Sequence, residues 1–154
     1  MATNVRTDAK THKLKFHAGW DLYAPPHTEV FAICDGRIVE CREEVNATGK
    51  STGYGKSVLL EFTYQDRTLY AFYAHLESWA FQPTDGKPVE ITEGTRLGLT
   101  GTTGNANGEA PHLHFEIRTK RKVHHYPDGR ISPGEVLGYV YENLDYRVPF
   151  TEAG

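Results

Sequence analysis

Cysteine is scarce in this chain: two residues in 154, Cys34 and Cys41. So few thiols exclude a disulfide-stapled scaffold and a multi-cysteine metal centre. No stretch of about 18 consecutive apolar residues occurs, so no membrane-spanning helix is expected. Charge of neither sign dominates. A net charge of −3, with Lys120-Arg121-Lys122 as the longest basic run, gives no footprint for nucleic acid or an anionic membrane surface. Helical heptads and repeats of fixed period are also missing. The first 13 residues are polar and lack the apolar region of a signal peptide. Export by the standard route is therefore not expected, although a trimmed chain would look the same.

What is present is a succession of short apolar runs separated by Gly, Pro, Asn and Asp, the pattern of strands and turns. The predicted fold class is mostly β, an antiparallel sandwich or open barrel with long loops. The expected organisation is a polar tail over 1–13, one folded domain over 14–142 and an extension over 143–154. Asp35-Gly36 between Val30–Cys34 and Arg37–Cys41 predicts a two-residue hairpin over 29–42. On that ladder the cysteines stand roughly 13 Å apart, beyond the ~4.4–6.8 Å between Cα atoms that a disulfide tolerates. Two free thiols are predicted, neither of them a ligand. A second hairpin joins Ser57–Tyr64 to Thr68–His75. Residues 46–57, 77–88 and 101–110 read as loops, Arg96–Thr100 as a short strand, and Ser132–Tyr139 as a short helix or edge strand.

The chemistry concentrates in histidines. His112-Leu-His114-Phe-Glu-Ile-Arg118 alternates at period two, so it predicts a strand with His112 and His114 on one face, roughly 6–7 Å apart. Upstream stands His17-Ala-Gly-Trp-Asp21, extended rather than helical, where Gly19 gives the freedom to bend. His75 closes the return strand of the second hairpin. Nitrogen and oxygen donors without cysteine suit a catalytic zinc with an open position for water.

These motifs, with Tyr73-Ala-His75-Leu76, Thr100-Gly-Thr-Thr-Gly104 and Pro111–Ile117, occur in an order that resembles the lysostaphin-type zinc endopeptidases, which cleave peptide bonds in bacterial peptidoglycan. The resemblance runs from about Phe16 to Gly138. It implies one zinc ion held by His17, Asp21 and His114, with His75 and His112 as the catalytic pair. Which of the pair is the general base stays open. The three loops, long and polar on a β scaffold, are expected to wall a groove for peptidoglycan peptides, with Tyr54, rather than Trp20 or Trp79, as the substrate contact. Pro26-His27-Thr28 departs from the family's usual sequence after Ala-Pro; His27, His12, His124 and His125 are read as solvent-facing. The expected setting is the periplasm or the extracellular wall. A secretion apparatus would deliver the chain as an antibacterial toxin countered by an immunity protein, or lysis would release it. The rival classes are a wall-binding regulator without catalysis and a metal-binding protein. All five site positions hold competent residues, which favours the enzyme.

Overall fold

A computed structural model describes residues 5–7, 14–16, 19–123 and 129–137. His12, His17, His124, His125 and the extension beyond residue 137 lie outside the described residues.

The described strands begin with β1 (Val5–Thr7) and β2 (Leu14–Phe16), which pair with each other as a separate two-stranded ribbon. Then follow β3 (Trp20–Tyr23), β4 (Glu29–Phe31), β5 (Gly36–Val45), β6 (Ser51–Tyr64), β7 (Arg67–Trp79), β8 (Val89–Ile91), β9 (Arg96–Thr100), β10 (His112–Arg118) and β11 (Arg130–Ile131). A short helix α1 (Pro133–Leu137) follows β11. The main sheet runs β11-β10-β7-β6-β5-β8, with β3 added to β10 and the β4–β9 pair added to β7. Every pairing is antiparallel. The sheet stays open and does not close into a barrel.

Alternation divides the sheet into two faces. On one, Trp20, Leu22, Val58, Leu60, Tyr73, Leu113, Phe115 and Ile117 join the main core. Removing this much apolar surface from water, at about 25 cal/mol per Å², is the main drive for folding. The other face carries a small apolar cluster, Leu59, Phe72 and Ala74, beside the polar side chains of β10. His114 lies opposite Ala74 and Glu116 opposite Phe72. All seven residues of β10 are buried, the polar ones included.

The predicted hairpin over 29–42 does not form. β4 pairs with β9, whereas β5 pairs with β6 and β8. Asp35-Gly36 is a corner: Asp35 accepts the backbone N–H of Glu93 at 2.8 Å, and Gly36 starts β5. The cysteines are free thiols as predicted, although they never shared a ladder. Burial pushes Cys41 up to about 12 and Cys34 up to about 11, so neither ionises near neutrality. The 57–75 hairpin is present but longer than predicted at both outer ends. β6 begins at Ser51, so most of the loop expected over 46–57 is strand, and the connection is a tight turn around Asn46.

Candidate functional site

β10 lies between two antiparallel neighbours, and this sandwiching gathers the site. β3 runs along one side and places Asp21 opposite His114. The bend before it requires Gly19, because a Cβ there would overlap the carbonyl oxygen of Phe115. Glycine's conformational freedom predicts a bend at Gly19; the structure gives it a close backbone approach to β10 as well.

On the other side β7 delivers His75 by an irregularity. Strict alternation along Leu69-Tyr-Ala-Phe-Tyr73 would send His75 into the core. Instead Tyr73 and Leu76 both pack in the main core, and the register with β6 slips by one residue between them. His75 absorbs the extra residue with φ of 61°. A β-bulge built on a left-handed residue re-aims a side chain, and such a conformation costs of order 1–3 kcal/mol for a non-glycine residue. The result sets the His75 ring 5.1 Å from that of His112 and 6.0 Å from that of His114, centroid to centroid.

Hydrogen bonds fix what each imidazole presents. A backbone carbonyl only accepts. His75 Nδ1–H therefore donates to Thr103 O at 2.7 Å, and His112 Nδ1–H to Ala110 O at 3.0 Å. A neutral ring so anchored carries its lone pair on Nε2. His114 is mounted the other way round. Its Nε2 donates to Glu116 Oε2 at 2.6 Å, and its Nδ1 stands 3.0 Å from Asp21 Oδ1. His112 Nε2 is 3.7 Å from the same Asp21 oxygen. Thr103 is held by donating from Oγ1 to Leu76 O and accepting from the Lys56 N–H. Gly104, at φ 72°, lets this loop press against β6, where a Cβ would meet Gly53 and Gly55.

Charge follows geometry. Burial disfavours a charged His75, the neighbouring His114 adds to this, and together they lower it to about 4. Burial opposes a charged His114 too, but hydrogen bonds to Asp21 and Glu116 outweigh it and raise that ring to about 9. Glu116 is held well below the usual carboxylate range: burial works against its charge, and His114, Arg118 and Arg130 prevail. A pH prediction follows for the chain without metal. His75 folds with a pKa below its unfolded 6.5, so its contribution is lost as pH falls from 6.5 towards 4. His114 folds with a pKa above 6.5, so its contribution is lost as pH rises from 6.5 towards 9. Thermal unfolding followed in chelator is expected to peak near pH 6.5 and decline on both sides; a profile still rising at pH 9 would contradict it.

Tyr54 is half-buried, with its ring stacked 5.2 Å from His114 at 25° and edge-on to Phe72 at 5.0 Å. Trp20 is wholly in the core. Trp79 packs against the core and donates to Ser57 O at 3.0 Å. Both tryptophans are structural, as read from the sequence. His27 is exposed, also as expected.

Glu116 and the two arginines behind it went unassigned in the sequence. The signal for two of them was there: the His112–His114 alternation continues to Glu116 and Arg118. Arg130 had no local signal, since its place comes from pairing opposite Arg118.

Among the described residues no group of three His, Cys, Asp or Glu gathers as a metal site. His17, the third ligand implied by the resemblance, lies outside them. The donors that are described fit a metal. Two atoms at 3.0 Å, one nitrogen and one oxygen, sit near the separation of neighbouring ligands each ~2.1 Å from a common zinc.

The model of peptidase family M23 matches residues 15–127. The chain belongs to this family. The peptidoglycan DD-endopeptidase ShyA of Vibrio cholerae is 31% identical over 109 residues, which is 70% of this M23 chain but 21% of the relative. The chain thus spans about a fifth of that curated relative. The catalytic domain of the antimicrobial peptidase lysostaphin from Staphylococcus simulans superposes with a TM-score of 0.68 at 22% identity, covering 90% of each chain. The catalytic domain of a prophage-encoded M23 protein, EnpA of Enterococcus faecalis, does so with a TM-score of 0.59 at 21% identity, over 82% of this chain and 83% of that one. At these identities the two structures support the fold alone.

Proposed function

We propose that this chain is a zinc-dependent endopeptidase that hydrolyses peptide bonds in peptidoglycan stem or cross-bridge peptides. The observation that carries the reading is the polarity of the three rings. His114 points Nδ1 at Asp21, while His75 and His112 present Nε2 lone pairs beside them. One nitrogen and one carboxylate thus face a cation position, with two bases at its edge.

In this reading Asp21 and His114, with His17, hold the zinc. Bound there, zinc would polarise the scissile carbonyl and lower the pKa of a water towards ~7. The chain's own residues supply the rest. His75, kept neutral by burial, holds its Nε2 lone pair unprotonated throughout the neutral range, ready to accept a proton from an activated water. Its Nδ1–H bond to Thr103 holds the ring in that tautomer. His112, tied to Ala110 in the same way, is the second group able to accept a proton or, once protonated, to hydrogen-bond developing negative charge. Tyr54, standing over His114, gives the peptide a wall to lie against. In the metal-free chain a proton shared by His114 Nδ1 and Asp21 takes the cation's place, so metal uptake is expected to release it.

The peptidoglycan substrate is supported by the family, by the name of the Vibrio relative and by the order of motifs. The expected place of action is the periplasm or the outer wall. Delivery as an antibacterial toxin, with an immunity protein or secretion apparatus as partner, or release as a lysin, rests on the sequence reading alone. Among the described residues no helix is long and apolar enough to cross a membrane.

The deciding experiment combines metal analysis with turbidity loss of purified sacculi. One zinc per chain is expected, with clearing that stops on chelation and returns with zinc. Stoichiometric zinc without clearing of any wall type would replace hydrolysis by wall binding or regulation.

A further inference from the structure

Behind the proposed zinc ligand lies a charged cluster that the mechanism does not use. Glu116 is fully buried, which a carboxylate tolerates only when paired and hydrogen-bonded. Its Oε2 accepts from His114 Nε2 at 2.6 Å. Its Oε1 accepts from Arg118 Nε and Arg130 Nε, both at 2.8 Å. The two guanidiniums are themselves seated. Arg118 lies 3.7 Å over the Phe72 ring, and Arg130 reaches the Tyr54 hydroxyl at 3.4 Å. Tyr54 in turn stacks on His114. The ring of His114 is thus held at its edge by Glu116 and on its face by Tyr54, and both holders are tied to Arg130.

We propose that Glu116 is a positioning residue that turns the Nδ1 lone pair of His114 towards the metal, and that Arg118 and Arg130 hold it as an acceptor. The argument is one of donors and acceptors. A neutral imidazole has one N–H and one lone pair. A carboxylate flanked by two guanidiniums accepts and does not donate. Once Nδ1, on the side of Asp21, gives its lone pair to the metal, the ring's one hydrogen falls on Nε2, where Glu116 accepts it. Partners of this kind behind a metal-bound histidine are worth typically 10–100-fold in metal affinity. A further consequence is that β11 contributes to the site: it brings Arg130 opposite Arg118 on the same face.

This inference rests on the zinc reading above, and its test separates the two. Glu116→Gln keeps the shape, but its amide is able to donate to Nε2 and so favour the wrong tautomer. Zinc affinity is measured by chelator competition, and the His114 tautomer by ring-nitrogen NMR of the metal-free chain at a pH where the spectrum shows the ring to be neutral. The expected result is a 10–100-fold weaker zinc affinity in the variant, a smaller share of the Nε2–H tautomer than in the native chain, and retained cooperative unfolding. Arg130→Met, which leaves Glu116 in place with one donor, is expected to lie between the two and covers the case in which the glutamine variant does not fold. Native-like zinc affinity and tautomer in a folded Glu116→Gln chain would overturn the positioning role and leave the zinc reading intact. Failure of the native chain to bind zinc would overturn both.

Discussion

Replacing His112 by alanine is expected to leave one zinc per chain while slowing wall clearing by about 10²–10⁴-fold, the range for a lost general acid or base. His75→Ala is expected to behave in the same way. The reason is geometric. Both rings are anchored through Nδ1 to backbone carbonyls, on Ala110 and Thr103, so neither depends on the metal for its orientation. Removing either one leaves the His114–Asp21 pair standing. If the two share one proton-transfer step, the double variant will be little worse than the poorer single one, because groups acting as a unit are not additive. Sacculus turbidity with parallel metal analysis decides the matter. Full turnover in His75→Ala would remove it from the pair. Zinc loss in His112→Ala would move that residue, 3.7 Å from Asp21, into the ligand set.

Asp21→Ala and His114→Ala are expected to abolish both zinc binding and hydrolysis, the opposite signature to that of the catalytic pair. Each deletion takes away one of the proposed ligands and strands its partner. Without Asp21, His114 loses the carboxylate at 3.0 Å; without His114, Glu116 loses its partner at Oε2. A site reduced to two protein ligands falls short of the three typical of catalytic zinc. Metal content after gel filtration, with circular dichroism to show that the strands persist, is the relevant measurement. A variant that retained stoichiometric zinc would strike that residue from the ligand set.

Much of this arrangement was legible in the residues. The alternation from His112 to Arg118 specified a strand and put His112 and His114 on one face, because period two leaves no other choice. The turn at 65–66 announced its hairpin. The connection at Asp35-Gly36 was misread for a physical reason. A local turn signal says that the chain reverses, not which strands then pair, and long-range pairing with β9 and β6 won. The ends of β6 were hidden because Ser51-Thr-Gly-Tyr-Gly55 carries little strand propensity; there the pairing with β5 and the packing of the 101–110 loop impose the extended form. His75 illustrates the deeper limit. At the end of an apolar strand it reads first as a packing residue, and only its company with the other histidines, and then the resemblance to a family, marked it. The bulge that turns it round is encoded by contacts rather than by neighbours. Arg130 is similar, being recruited from 14 residues beyond Glu116 by register alone.

The pairing of Asp21 with His114 closes a loop of 93 residues. Such non-local contacts cost loop-closure entropy before they return any stability, which slows folding. While the polypeptide is being synthesised, everything up to Pro111 can emerge with neither His112 nor His114 in existence. A partly made chain therefore carries no assembled centre of the kind proposed, which arises only once the strand that begins at His112 has docked between two others made much earlier. The order of the strands along the polypeptide is thus itself a safeguard: the proposed centre cannot exist before that strand has been made.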